Sequence, residues 1–295
     1  MSIISRIGFC FVLCWSLSWK LPTSEALGKD SSPRYCNDTS SSQQLSGRLA
    51  LVTGGASGIG RSVAKVLARE GVTVFIADRN VTGGEETIRM LRAIQDCGHM
   101  GMFTDFRKFA DVQSLFKEIK KVFPGKKLSL LVNSAEILQK STPLSLISDA
   151  TFDDLIATNL KATFLVAREA VKSMLAQNVS DGAIVNIANI FGRDGAAGLS
   201  AYAASKGAAL AFTKSVALEL SNKGIRVNAI LPWVNDSPTV SQSPAQVLRN
   251  RVVKVNATLS TSMPVKVSET IALILSPKSS NITGAFIDVT GEINI

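Results

Sequence analysis

The chain carries a single histidine, His99, in 295 residues. A zinc centre recruits several imidazole or thiolate ligands, and a histidine-based triad needs its base beside a nucleophile, so neither chemistry finds support. Of four cysteines, Cys10 and Cys14 fall in an N-terminal apolar run, and Cys36 and Cys97 are too few for a disulfide framework. The formal charge is +9, yet no Lys/Arg block is interleaved with aromatics. Nucleic acid is therefore the weakest partner for this basic balance, behind an acidic membrane or an acidic protein. No apolar run is long enough to span a bilayer comfortably, no repeat recurs, and no linker interrupts the chain after Leu45. With 46% hydrophobic residues, the sequence reads as one domain behind a leader.

The leader is residues 1–26. Arg6 precedes the apolar run from Ile7 to Trp19, and Ser24-Glu25-Ala26 offers small residues for cleavage. That pattern fits a signal peptide and predicts entry to the endomembrane system. A mitochondrial presequence should be amphipathic and Arg-rich, whereas this run has only Arg6 and Lys20. A short membrane-associated anchor is a further reading. Asn-x-Ser/Thr triplets at Asn37, Asn80, Asn178, Asn235, Asn256 and Asn281 are compatible with a secretory route. Residues 27–45 are Ser-rich, lack periodicity and read as a disordered tether. The folded domain is then 46–295.

The organising stretch runs from Leu49 to Glu70. An apolar strand, Leu49 to Val52, enters a turn holding Thr53, Gly54, Ser57, Gly58, Ile59 and Gly60. Glycines let backbone approach a ligand closely, and the helix that follows aims its free N–H groups at the same space. About twenty residues past Gly58, at the end of the next strand (72–77), Asp78 can accept hydrogen bonds from an adenosine ribose. Strands and helices keep alternating: strands at 100–104, 128–132, 183–187, 225–231 and 285–289, and helices at 112–123, 152–177, 202–222 and 265–275. A mobile helical segment is expected at 243–254, within a pocket-shaping stretch, 234–263. The pattern implies a doubly wound, Rossmann-like parallel sheet with helices on both faces.

Tyr202 and Lys206 lie one helical turn apart and so share a face. An ammonium beside a phenol favours the phenolate, which would let the tyrosine pass a proton near neutral pH. Reduction of a carbonyl by hydride requires such a donor beside the oxygen.

On these residues the chain resembles the short-chain dehydrogenase/reductase family over roughly 46–292. Thr53, Gly54, Gly58 and Gly60 match its glycine loop, Asn159 its helix asparagine, Tyr202 and Lys206 its Tyr-x-x-x-Lys pair. Asp105 matches its acid near adenine, and Ile282-Thr283-Gly284 its closing triplet. Within the family the text is most similar to members acting on 3-oxoacyl thioesters, some acyl-carrier-protein-linked, and on hydroxysteroids. The resemblance implies NAD(H) as cofactor, with Asn133 and Pro232 also lining its site. Asp78 would repel the phosphate of NADP, although Arg79 could swing toward it. It further implies Tyr202 as proton donor, Lys206 holding the nicotinamide ribose, and Asn159 positioning a relay water. The helices at 152–177 and 202–222 would pack against counterparts in a homo- or hetero-oligomer, a dimer or tetramer. It also offers the mitochondrial matrix as the rival compartment.

Three positions depart from the family. Asn189 stands where the catalytic serine belongs, thirteen residues before Tyr202. Glu136 replaces a glycine near the expected nicotinamide ribose. Trp233 replaces the glycine after Pro232 and could reshape or block the pocket. Two functions follow. The first is an active ketoreductase/alcohol dehydrogenase with attenuated turnover, in which the Asn189 amide replaces the serine hydroxyl. The second is a catalytically weak NAD-binding subunit that stabilises a related active reductase.

Overall fold

The computed structural model describes residues 44–233 and 264–290. The leader, nearly all of the tether with Cys36, and the stretch 234–263 with its expected helix lie outside the described residues.

Seven parallel strands form one sheet in the order β3-β2-β1-β4-β5-β6-β7. They are β1 (Leu49–Thr53), β2 (Thr73–Asp78), β3 (Met100–Phe103), β4 (Leu128–Asn133), β5 (Gly182–Ile187), β6 (Ile225–Pro232) and β7 (Phe286–Val289). The central strands are buried along their whole length, which is why they read as unbroken apolar runs. Side-chain alternation splits each strand between two cores. Ala50, Val52, Val74, Ile76, Leu130 and Val132 face one layer with α1 (Gly58–Arg69), α2 (Val81–Ile94) and, from the far end of the chain, the helix Pro264–Leu275. Leu49, Leu51, Phe75, Leu128 and Leu131 face the other, with α3 (Phe109–Val122) and α5 (Ala162–Ala176). Leu45 is 3% exposed within the first core, so the folded unit begins slightly before residue 46.

Two elements differ from the sequence reading. Helix α2 was not expected there, because the adjacent Gly83 and Gly84 lower helical propensity. Asn80 compensates at its start, where its side-chain oxygen accepts the Gly83 N–H at 3.0 Å. The long helix at 152–177 is not one regular α-helix. It is α4 (Asp149–Leu155), a π segment (Ile156–Lys161), then α5. Such π segments concentrate at functional sites, and this one carries Asn159. The chain then forms a short α6 (Phe191–Asp194), α7 (Ser200–Glu219) and, as α8, Pro264–Leu275.

Strands run outward from β1 to β3, and the chain resumes with β4 on β1's other side. The carboxyl ends of β1 and β4 therefore diverge into a crevice, the place where such sheets bind ligands. The glycine loop leaves β1 there and residues 134–142 leave β4.

Candidate active site

The glycine loop is a closed main-chain structure. Gly54 has φ +67°, and a Cβ on it would stand 2.8 Å from the Ala135 backbone. A Cβ on Gly60 would stand 2.2 Å from the Gly54 carbonyl oxygen. Both glycines are thus fixed by close approach. Ser57 precedes α1 as an exposed extended residue, Gly58 opens the helix, and Ile59 packs on the first core. No acid occupies the first turn of α1, so its N-terminus keeps its partial positive charge. Asp78 ends β2 beside this loop: Oδ2 accepts the Ala56 N–H at 3.0 Å and Oδ1 the Asn80 N–H at 2.9 Å. A carboxylate fixed against the turn, next to a bare helix N-terminus, fits the adenosine and diphosphate end of a dinucleotide.

Two residues expected to line the ligand are spent on scaffolding. The Thr53 hydroxyl accepts the N–H groups of Ser134 at 3.0 Å and Ala135 at 3.2 Å, tying the two loops together. The buried Asn133 amide donates to Asn186 at 2.9 Å, and Asn186 donates to Thr213 at 2.9 Å, a polar chain beneath the loop. Asp105 is occupied as well. Arg107 grips it through Nε at 3.0 Å and Nη2 at 2.9 Å and holds its carboxyl below the usual carboxylate range.

Tyr202 and Lys206 meet as expected, on α7, but not alone. Both are buried, at 3% and 2% exposure. Lys206 Nζ donates to the Ile187 carbonyl at 2.9 Å and pairs with Glu136 Oε2 at 2.5 Å. The Tyr202 hydroxyl donates to the same Glu136 oxygen at 3.2 Å. Burial, then the Glu136 charge, then that hydrogen bond push the Tyr202 pKa well above that of a free phenol. This reverses the expectation that Lys206 would favour the phenolate, because a carboxylate meets the ammonium and faces the phenol.

The Asn159 side chain is held between two elements of the site. Its side-chain oxygen accepts the Ile137 N–H at 2.8 Å, and its amide donates to the Ile137 carbonyl at 3.0 Å and Ser205 at 3.2 Å. It fixes the loop that carries Glu136 to the helix that carries Tyr202. Gln139 does the same and was missed by sequence reasoning. Its Oε1 accepts the Tyr202 N–H at 2.9 Å, and its Nε2 donates to the Gly198 carbonyl at 3.0 Å. A glutamine in a loop carries no pattern that would disclose this.

Asn189 follows β5, two residues after the carbonyl that holds Lys206. Its Oδ1 accepts the Phe191 N–H at 3.0 Å. An N–H can face only the oxygen end of the amide, so Nδ2 is the end left to meet a carbonyl. Pro232 ends β6, where its oxygen accepts the Ile190 N–H at 3.4 Å. Trp233 packs against Phe191 with ring centroids 5.5 Å apart.

Comparisons with known proteins agree with this geometry. A family model described as short chain dehydrogenase matches residues 48–247. The (3R)-3-hydroxyacyl-CoA dehydrogenase of Homo sapiens is 33% identical over 256 residues, 85% of this chain and 97% of that protein. The 3beta-hydroxysteroid dehydrogenase of Mediterraneibacter gnavus is 36% identical over 212 residues, 71% of this chain and 74% of that protein. Among solved structures, 3-ketoacyl-(acyl-carrier-protein) reductase from Brucella melitensis complexed with NADH superposes with a TM-score of 0.78 at 28% identity. That match covers 84% of this chain and 98% of that one.

Proposed function

This chain belongs to the short-chain dehydrogenase family of oxidoreductases, and from that premise we propose that it interconverts a ketone and a secondary alcohol with NAD(H). The observation that carries this reading is that buried Tyr202 and Lys206, one turn apart on α7, both meet Glu136 in the loop that follows β4. Asp78 supports NAD over NADP, since a carboxylate at that place repels a 2′-phosphate. A reduced nicotinamide, when bound, supplies the hydride. The protein's part is to bind, orient and supply a proton.

Tyr202 gives its hydroxyl proton to the oxygen that becomes the alcohol. In the empty site burial and the Glu136 carboxylate raise its pKa, so the hydroxyl holds its proton until a carbonyl is in place. The Asn189 Nδ2 stands in for a serine hydroxyl as the donor that steadies the carbonyl. An amide that already caps Phe191 is less free to align, so turnover is slow. The names of the relatives support a 3-oxoacyl thioester as substrate, with a ketosteroid as the alternative. They are named for reactions, which favours an enzyme over a non-catalytic stabilising subunit. Exposed Phe152, Phe164, Leu175 and Leu218 on α4, α5 and α7 support assembly through those helices.

The test is NADH oxidation by the purified protein, offered 3-oxoacyl thioesters and a panel of ketosteroids. Slow turnover that falls about a hundredfold or more in Tyr202→Phe is expected. A folded, NADH-binding protein that leaves every ketone untouched would sink the reading.

For the compartment we propose the endomembrane system. The apolar leader supports it. Mass spectrometry of the native N-terminus should find cleavage near Ala26; recovery from the mitochondrial matrix would refute it.

A further inference from the structure

A buried ammonium is stable only with a partner that replaces its water. Lys206 has two: the Ile187 carbonyl at 2.9 Å and Glu136 Oε2 at 2.5 Å. The carbonyl belongs to β5 and cannot move. Glu136 sits in the loop after β4, and its side chain keeps 30% of its surface exposed. The same oxygen takes the Tyr202 hydroxyl at 3.2 Å. One partly exposed carboxylate oxygen therefore satisfies both polar groups, the two that the family resemblance assigns to the nicotinamide ribose.

We propose that Glu136 is a specificity-determining residue for the nicotinamide half of the cofactor: its carboxylate stands in for the ribose hydroxyls at Lys206 and Tyr202, and must be displaced before that half can dock. This rests on the family reading above and deepens it. The anchor of Glu136 is local. Thr53 fixes the Ser134 and Ala135 N–H groups just before it, and Asn159 fixes Ile137 just after, so only the side chain need swing. The adenosine end is held separately: Asp78 is tied to Ala56 and Asn80, and among the described residues no hydrogen bond joins it to Glu136. Binding energy won at the adenosine end is thus partly spent on opening an ion pair at the other. A site whose competent state is a minor fraction binds its ligand more weakly by that fraction.

ADP and NADH separate the two halves, and calorimetric or fluorescence titration reads each without turnover. In the wild type, NADH should bind no more than about threefold tighter than ADP. In Glu136→Ala, ADP affinity should hold within about twofold, while NADH should gain about tenfold to a hundredfold, the worth of one charge-assisted hydrogen bond. Glu136→Gln keeps an acceptor but no charge, so a smaller gain in the same direction is expected; it also guards against loss of folding in the alanine variant. Wild-type NADH already binding far tighter than ADP, or any loss of NADH affinity in both variants, would overturn the proposal and make Glu136 a contact for the cofactor. Absence of ADP binding in the wild type would refute the dehydrogenase reading itself, and the proposal with it.

Discussion

Replacing Gln139 by alanine should damage both the fold and the chemistry. Helix α7 begins with Leu199 at its cap position, and leucine has no side-chain acceptor for the free N–H groups of a first turn. Gln139 supplies one from outside the helix, accepting the Tyr202 N–H at 2.9 Å, and its amide satisfies the Gly198 carbonyl at 3.0 Å. The side chain is 4% exposed, so water cannot simply take its place. The Gly198 carbonyl keeps the Thr142 N–H at 2.9 Å, so the loss is the Tyr202 N–H left unmatched, which costs about 1–3 kcal/mol. For a domain of this size the melting temperature should fall by roughly 3–10 °C. Because the lost bond sits on Tyr202 itself, kcat should drop more than KM rises. Gln139→Glu would retain the acceptor, add a charge favourable at a helix N-terminus, and lose the Gly198 bond, so its melting point should lie between the two. Thermal unfolding followed by circular dichroism, with steady-state kinetics at a temperature where both proteins are folded, measures this. A shift below about 2 °C with unchanged kcat would show that Gln139 does not position the tyrosine.

Asp78→Ala should weaken NADH and narrow the gap to NADPH; equal or tighter NADPH binding by the wild type would show the argument from Asp78 to be wrong. His99 gives a pH signature. It is buried, accepts the Val74 N–H on Nδ1 at 3.1 Å and donates from Nε2 to Gln95 at 2.7 Å, and burial lowers its pKa. Below the unfolded value of about 6.5 the unfolded chain binds a proton that the native one refuses, so stability should fall with pH by up to about 1.4 kcal/mol per unit until the native pKa is passed. Denaturant melts of His99→Gln should lack that component; an identical slope would remove His99 as its source. Asn189→Ser should raise turnover about tenfold, by restoring a donor not committed to Phe191. A slower Asn189→Ser enzyme would mean the asparagine is an adapted catalytic group.

The parallel sheet with helices on both faces, the glycine loop, Asp78 and the Tyr202–Lys206 pair could all be read from the sequence. Each depends on local pattern: unbroken apolar runs for buried strands, short spacing for a turn, one helical turn for a shared face. What escaped was decided by residues far apart in the chain. Asn159 and Gln139 are polar residues whose roles are set by Ile137, Ser205, Gly198 and Tyr202. Helix α2 escaped because its cap outweighs two glycines. Glu136 was visible as an odd residue at the right place, but nothing in its neighbours announces that its carboxylate reaches 66 positions along the chain to the tyrosine.

The two ends of this site are built from different materials, and that bears on how far each can drift. The dinucleotide end is main chain: glycines pinned by backbone contacts, N–H groups at a helix start, one carboxylate tied to two amides. Substitution there meets steric refusal at 2.2–2.8 Å, so its geometry persists or the turn is lost. The reacting end is side chains, where exchange of serine for asparagine or glycine for glutamate leaves the backbone intact. A buried lysine then becomes the constraint. It needs an acceptor whether or not a cofactor is present, and a nearby glutamate provides one at 2.5 Å. Stability of the empty protein and affinity for the nicotinamide half consequently draw on the same ammonium. A substitution that frees Lys206 for the cofactor should loosen the empty fold, and NADH should restore more of the melting temperature in Glu136→Ala than in the wild type.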